Sequence, residues 1–167
     1  MTDSKRLFLL RHAKSSWDDP QLADHDRPLA PRGRRAAKRM AAHLREADIQ
    51  PALVLCSSAR RARETLELLA LTGETIIERD LYGGSSTSLL ERLHRVPEAV
   101  DSVMLIGHCP GIQDLAVEIV RGSAEIARLE SSFPTGALAC LTFAEHWPEL
   151  RPGSARLTAF VKPRELG

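Results

Sequence analysis

The sequence predicts an α/β fold: a three-layer sandwich with a mostly parallel central sheet, helices on both faces and an antiparallel C-terminal edge. Three observations predict it. Short apolar runs alternate with longer amphipathic stretches, the signature of βαβ units. The last two apolar runs leave no room for a crossover helix between them, so they pair antiparallel. Neither repeats nor a low-complexity linker interrupt the 167 residues, a length that fits one domain over 1–167.

The first strand is Leu7 to Leu10 in LFLLRHAKSSW. A loop rich in Asp and Pro runs to Pro31. From Arg32 to Ala47, the residues Ala37, Met40, Ala41 and Leu44 recur at helical spacing, with Arg35, Lys38 and Arg45 on the other face. ALVLC (52–56) is the second strand. SSARRARETLELLAL (57–71) starts with serines suited to capping and sets Ala62, Leu66 and Leu69 on one face, which makes a second helix. ETIIERDLY (74–82) holds a short strand around Ile76 and Ile77. Ser88 to Arg95 reads as a helix that stops before Pro97. SVMLIG (102–107) is the central strand, and PGIQDLAVEIV (110–120) is a helix opened by Pro110. GALACLTF (136–143) and ARLTAFV (155–161) are the antiparallel pair, separated by a Trp147–Gly153 loop.

Composition narrows the function. With 43% apolar residues the chain fills a core without staples. Lys and Arg total 23 against 22 Asp and Glu, which argues against a nucleic-acid binder and leaves only local clustering of arginine open. Cys56, Cys109 and Cys140 are odd in number and lack CxxC spacing, so neither a disulfide nor a zinc framework is expected. No apolar run approaches the roughly 20 residues of a membrane span. The opening MTDSKR lacks a signal-peptide core, so a soluble cytoplasmic protein is expected.

Each of the three best parallel strands ends in chemistry. The first ends in Arg11-His12; the second ends in Ser57-Ser58, ahead of Arg60, Arg61 and Arg63; the central one ends in Gly107-His108. Ligands in open α/β sheets sit beyond the carboxyl ends of strands, where helix N-termini also point. Two histidines and at least two arginines therefore meet on one rim. Arginine forks match phosphate oxygens, so a tetrahedral dianion is the expected guest. There is no Walker A sequence, and GHCPG is not GxGxxG.

Arg11-His12-Ala13, the S-x-x-x-R-A-x-x-T of Ser57–Thr65, and Gly107-His108 together resemble the histidine phosphatase superfamily, and within it the SixA-like phosphohistidine phosphatases. The likeness extends through RPLAPRG (27–33), LYGGSS (81–86), PTGALA (134–139) and FVKPREL (160–166); Ala13 stands where the family usually has Gly. The resemblance implies a phosphoglycerate mutase-like fold and a covalent phosphohistidine on His12. Arg11, Arg61 and His108 would hold the equatorial oxygens, with no metal or other cofactor. It selects Arg61, which precedes Ala62 of the motif, and leaves Arg60 and Arg63 solvated.

Relatives that cleave alkyl phosphates carry a Glu a few residues before a Tyr-Gly. Here ERDLYG puts Arg79 at that spacing, with Glu78 and Asp80 on either side. The departure favours a phosphoramidate substrate, because an imidazole with a reference pKa of about 6.5 leaves without a strong acid. Asp18, six residues after His12, is the next candidate for proton transfer or water orientation, and Arg27 for a further phosphate or substrate contact. The expected partner is a phosphorylated protein, such as a phosphotransfer domain. The alternative is a small phosphorylated metabolite with the same chemistry, and a non-catalytic phosphate-binding module is the rival from another class.

The remaining candidates read blandly. His25, between Asp24 and Asp26, reads as part of a solvated loop rather than a metal site; His43, His94 and His146 read as surface. Trp17 either floors the pocket or pins the loop. Gly33 and Gly83 read as turn glycines, and Cys109 and Cys140 as small buried apolar side chains. A cysteine-phosphatase loop, C-x5-R, would need Arg at 62, where Ala62 stands, so Cys56 is set aside as a nucleophile.

Overall fold

A computed structural model describes residues 4–167; the first three residues of MTDSKR lie outside the described residues. Six strands form one sheet: β1 (Lys5–Arg11), β2 (Leu53–Ser57), β3 (Glu74–Glu78), β4 (Ser102–Gly107), β5 (Leu138–Phe143) and β6 (Arg156–Val161). The helices are α1 (Pro31–Glu46), α2 (Arg60–Leu69), α3 (Ser86–His94), α4 (Gly111–Ile119) and α5 (Ser123–Ser131). The sheet order is β3-β2-β4-β1-β5-β6. The first four of these run parallel, while β5 is antiparallel to both β1 and β6. The expected α/β sandwich with an antiparallel edge is what forms.

Strands β2 and β4 are buried along their whole length, and β1 over Leu7–Leu10, because both faces are covered, as parallel sheets require. Side chains alternate across a strand, so each strand feeds two cores. Leu7 and Leu9, Leu53 and Leu55, and Val103 and Leu105 join the cluster with Leu89, Leu115 and Leu129 of α3, α4 and α5. Phe8 and Leu10, Val54 and Cys56, and Met104 and Ile106 join the cluster with Met40, Leu44 and Leu69 of α1 and α2.

Three local features depart from expectation. The serines before α2 do not cap it, because the N-cap is Ala59, which has no side-chain acceptor. Ser57 Oγ instead accepts the Ala59 N–H, and the hydroxyls of Ser57 and Ser58 face histidines. The α5 helix was not expected; its C-terminal carbonyls are held from α4, where Gln113 Nε2 donates to Leu129 O at 2.8 Å. Gly33 sits inside α1 rather than in a turn. A Cβ there would lie 2.1 Å from Lys14 O, so only glycine lets the helix approach the segment that follows His12. No helix among the described residues is long and apolar enough to cross a membrane.

Candidate active site

The register of β1 against β4 pairs Arg11 with Gly107, so the next residues, His12 and His108, leave the sheet side by side. Their ring centroids are 5.0 Å apart. The strand end is clamped: His12 N–H donates to Gly107 O, and Gly136 N–H donates to the carbonyls of both Arg11 and His12. Arg61, buried in the first turn of α2, donates from Nε toward His12 Nε2 at 3.4 Å. Arg11 donates to Phe133 O at 2.8 Å. Arg61 thus reaches His12 directly and Arg11 lies close enough to lower the pKa of both histidines, while Arg60 and Arg63 stay exposed.

His12 is buried at 6% exposure. Its Nδ1 lies 2.7 Å from Ala13 O, which can only accept, so Nδ1 carries the proton and Nε2 keeps its lone pair. Burial depresses its pKa to about 3, and the nearby His108, Arg61 and Arg11 add to the effect. The imidazole is therefore neutral and nucleophilic at pH 7. His108 is likewise pushed down to about 4, by burial first and then by Arg61. Its Nε2 is bound to Ser57 Oγ at 2.8 Å. His108 Nδ1 and Arg11 Nε are both buried without a protein partner. Buried polar atoms are seldom left so, and two of them beside a neutral imidazole suit an oxyanion that supplies acceptors.

The acid of the site is Asp24, which the sequence reading passed over. Its Oδ2 accepts from Arg61 at 3.0 Å and from the Tyr82 hydroxyl at 2.5 Å, and its Oδ1 accepts from Arg27 at 3.0 Å. The Tyr82 hydrogen bond, then Arg27 and Arg61, hold its pKa down at about 2. Asp24 is thus an ionised clamp on Arg61 and a poor proton donor. Tyr82 stands edge-on to His108, with ring centroids 5.5 Å apart, and to His25 at 4.9 Å.

The other expected residues take different places. Asp18 is exposed; its N–H donates to Ser16 Oγ, and its carboxylate meets none of the four site residues, because the loop turns outward there. The Arg27 guanidinium is spent on Ser15 Oγ, Ser16 O and Asp24, so it braces Asp24 instead of facing the oxyanion position. Trp17, 71% exposed, lies against Arg27 with the guanidinium carbon 3.2 Å from its ring centre and does not floor the pocket. Glu78 is paired with Arg92 at 2.8 Å, and it lines a separate cleft together with the exposed Asp80. His25 is partly buried against Ser58 Oγ rather than fully solvated. His43 and His94 are half-buried, and His94 Nε2 lies 2.7 Å from Leu150 O. His146 is exposed beside Glu98. Cys109 is half-buried and Cys140 buried. Burial pushes the Cys56 thiol up to about 12, so it holds no thiolate. No group of three His, Cys, Asp or Glu among the described residues is arranged to hold a metal ion.

Residues 7–82 match the family model described as "Histidine phosphatase superfamily (branch 1)". An uncharacterized protein of Mycobacterium tuberculosis is 38% identical over 159 residues, spanning 93% of this chain and all of that one. Among solved structures, the "Putative Phosphohistidine Phosphatase SixA" of Nakamurella multipartitia superposes with a TM-score of 0.88. It is 30% identical and covers 96% of this chain and 97% of that one. The protein histidine phosphatase SixA in complex with tungstate gives a TM-score of 0.79 at 25% identity, over 96% and 98% of the two chains.

Proposed function

This chain belongs to branch 1 of the histidine phosphatase superfamily and is a phosphatase, and we propose that its substrate is a protein phosphohistidine, cleaved through a covalent intermediate on His12. One observation carries the choice of substrate. The carboxylate in contact with the site, Asp24, is held at a pKa of about 2, and neither Asp18, Glu78 nor Asp80 touches the histidines. An alkoxide leaving group needs a proton from an acid in contact with the site and with a pKa near the working pH; Asp24 lacks the pKa, and the other three lack the contact. A phosphorylated imidazole whose far nitrogen is protonated departs as a neutral ring whose conjugate acid has a pKa of about 6.5. Transfer onto His12 then exchanges one imidazole–phosphorus bond for another, with little change in bond energy.

The steps follow from the geometry. Nδ1–H of His12 stays on Ala13 O while the Nε2 lone pair attacks phosphorus in line with the leaving nitrogen. Arg11, Arg61 and the unpaired Nδ1 side of His108 take the three equatorial oxygens and offset their charge as the bond forms. Water then attacks the phosphoryl group, which leaves as inorganic phosphate and returns Nε2 to its starting state. The SixA neighbours support this reading by the substrate in their names, and one of them is complexed with tungstate, itself a tetrahedral oxyanion. The partner is a phosphorylated protein, such as a phosphotransfer domain.

Quenching turnover in acid and in alkali, then mapping the label, tests the intermediate: alkali-stable, acid-labile phosphate on His12 is expected. Comparing kcat/KM on a phosphohistidine peptide with a panel of sugar phosphates tests the substrate. Faster cleavage of the esters would reject phosphohistidine and leave the covalent mechanism standing.

A further inference from the structure

A second cluster of positive charge lies beside the active site and has no part in the chemistry above. A cleft of about 290 Å³ is walled by Lys14, by Arg32 and Arg39 of α1, by the 132–135 loop and by Lys162 and Arg164 beyond β6. Five cations line it and no carboxylate does. The nearest acid in sequence, Glu165, does not line the cleft; its Oε1 accepts the Lys162 backbone N–H at 2.8 Å. None of the five forms an ion pair among the described residues, although six other cationic side chains do: Lys5, Arg27, Arg60, Arg61, Arg92 and Arg151. Arg39 Nε is buried without a partner. Lys162 Nζ lies 5.5 Å from the Phe160 ring centre, but five cations without an ion pair around one concavity, in a chain whose net charge is only +1, repel one another, and an anion between them relieves that repulsion.

We propose that this cleft is a second anion site that binds an oligophosphate group, a short chain of linked phosphoryl units. Three of the five cations are arginines, whose forks pair with phosphoryl oxygens at two points. A run of adjacent phosphoryl groups supplies several charges within a short length, which matches cations set around a small cleft better than carboxylates spaced along a peptide. Ala36, Pro134 and Pro163 add apolar wall for an organic tail. The cleft borders the catalytic site without being part of it. Lys14 follows His12 by two residues, and the 132–135 wall continues into Gly136, whose N–H holds His12 O at 2.9 Å. The inference does not depend on which leaving group the catalytic site prefers.

Calorimetric titration of inorganic tripolyphosphate into the full chain tests it. The exposed pair Arg32→Ala/Arg164→Ala removes two of the cations without touching the cores, and Arg61→Ala weakens the catalytic cradle instead. Binding to the wild type is expected to weaken about tenfold or more in the double variant and to change by less than about twofold in Arg61→Ala. Hydrolysis of para-nitrophenyl phosphate by the double variant should stay within about twofold of the wild type, which also reports that it folds. Failure of the wild type to bind, loss of binding in Arg61→Ala, or unchanged binding in the double variant would each overturn the proposal. Tighter binding of an Asp-rich hexapeptide than of tripolyphosphate would overturn the oligophosphate assignment. A preference for ester substrates in the peptide comparison would reject phosphohistidine and leave this binding result untouched.

Discussion

At the scale of single residues, the site turns on which imidazole nitrogen carries a proton and on what aims the arginine beside it. Ala13 O settles the first and Asp24 the second. Arg61 also donates to the Asp24 backbone carbonyl at 2.8 Å, so the loop holds the guanidinium at two points. Asp24→Asn keeps the size and loses the charge-assisted bond to Arg61, which is worth roughly 1.5–3 kcal/mol. We expect kcat/KM to fall about tenfold or more, with tungstate affinity falling in parallel and the melting temperature little changed. Asp18→Asn should leave all three within about twofold of the wild type, because its carboxylate touches none of these groups. Equal effects of the two variants would dismiss Asp24 as the clamp. Arg11, His12 and His108 were legible because each lies at or just after a strand end that apolar runs mark plainly, whereas Arg61, inside α2, was separable from Arg60 and Arg63 only by the family motif it belongs to. Asp24 was not legible. It is one of several acids in an aperiodic loop, and its partners Arg61 and Tyr82 lie 37 and 58 residues away in sequence.

At the scale of elements, the loop that carries Asp24 is held by close backbone approaches that no hydrophobic pattern reports. Ala30 N–H donates to Lys14 O at 2.9 Å, and Gly33 lets α1 lie directly on Lys14. Gly33→Ala would drive a methyl group into backbone, which cannot rotate away as a side chain can. We expect about 1–3 kcal/mol of destabilisation, read as a lower urea midpoint, and a drop in kcat because the segment after His12 must move. An unchanged midpoint would show that α1 shifts freely. The same physics explains which elements the sequence reading caught. β4 was found at its full length because every residue of SVMLIG is buried. The α5 helix escaped because only Leu129 of its nine residues is fully buried, too little to show a period. The capping serines misled for a related reason: their hydroxyls are bound to His108, which follows the neighbouring β4, and to His25 in the 24–26 turn, contacts that exist only once the chain has folded.

At the scale of the whole molecule, the site imposes a cost on folding that should appear in the pH dependence of stability. The native structure holds His12 and His108 neutral with pKa values of about 3 and about 4, while the unfolded chain binds protons at these residues near 6.5. Between those values the unfolded state carries more protons than the native one, so stability is fully present above about pH 6.5 and falls as the pH drops. Each histidine contributes a slope of up to roughly 1.4 kcal/mol per pH unit in that window. His146 works in the opposite sense, since Glu98 raises its pKa, but it is fully exposed and solvent screens it. The Asp24 clamp, depressed to about 2, begins to lose its stabilising charge only below about pH 4, its unfolded value being near 3.9. Urea unfolding at pH 7.5, 6 and 5 therefore isolates the histidines. The wild type should lose stability steadily across this range, and His12→Asn, which cannot titrate, should lose distinctly less while being catalytically dead. Parallel pH slopes for the two proteins would mean that His12 is not held neutral by burial, and the lone pair assigned to Nε2 would no longer be secure. A flatter slope together with lost activity would tie the nucleophile and the acid lability of the fold to one desolvated ring.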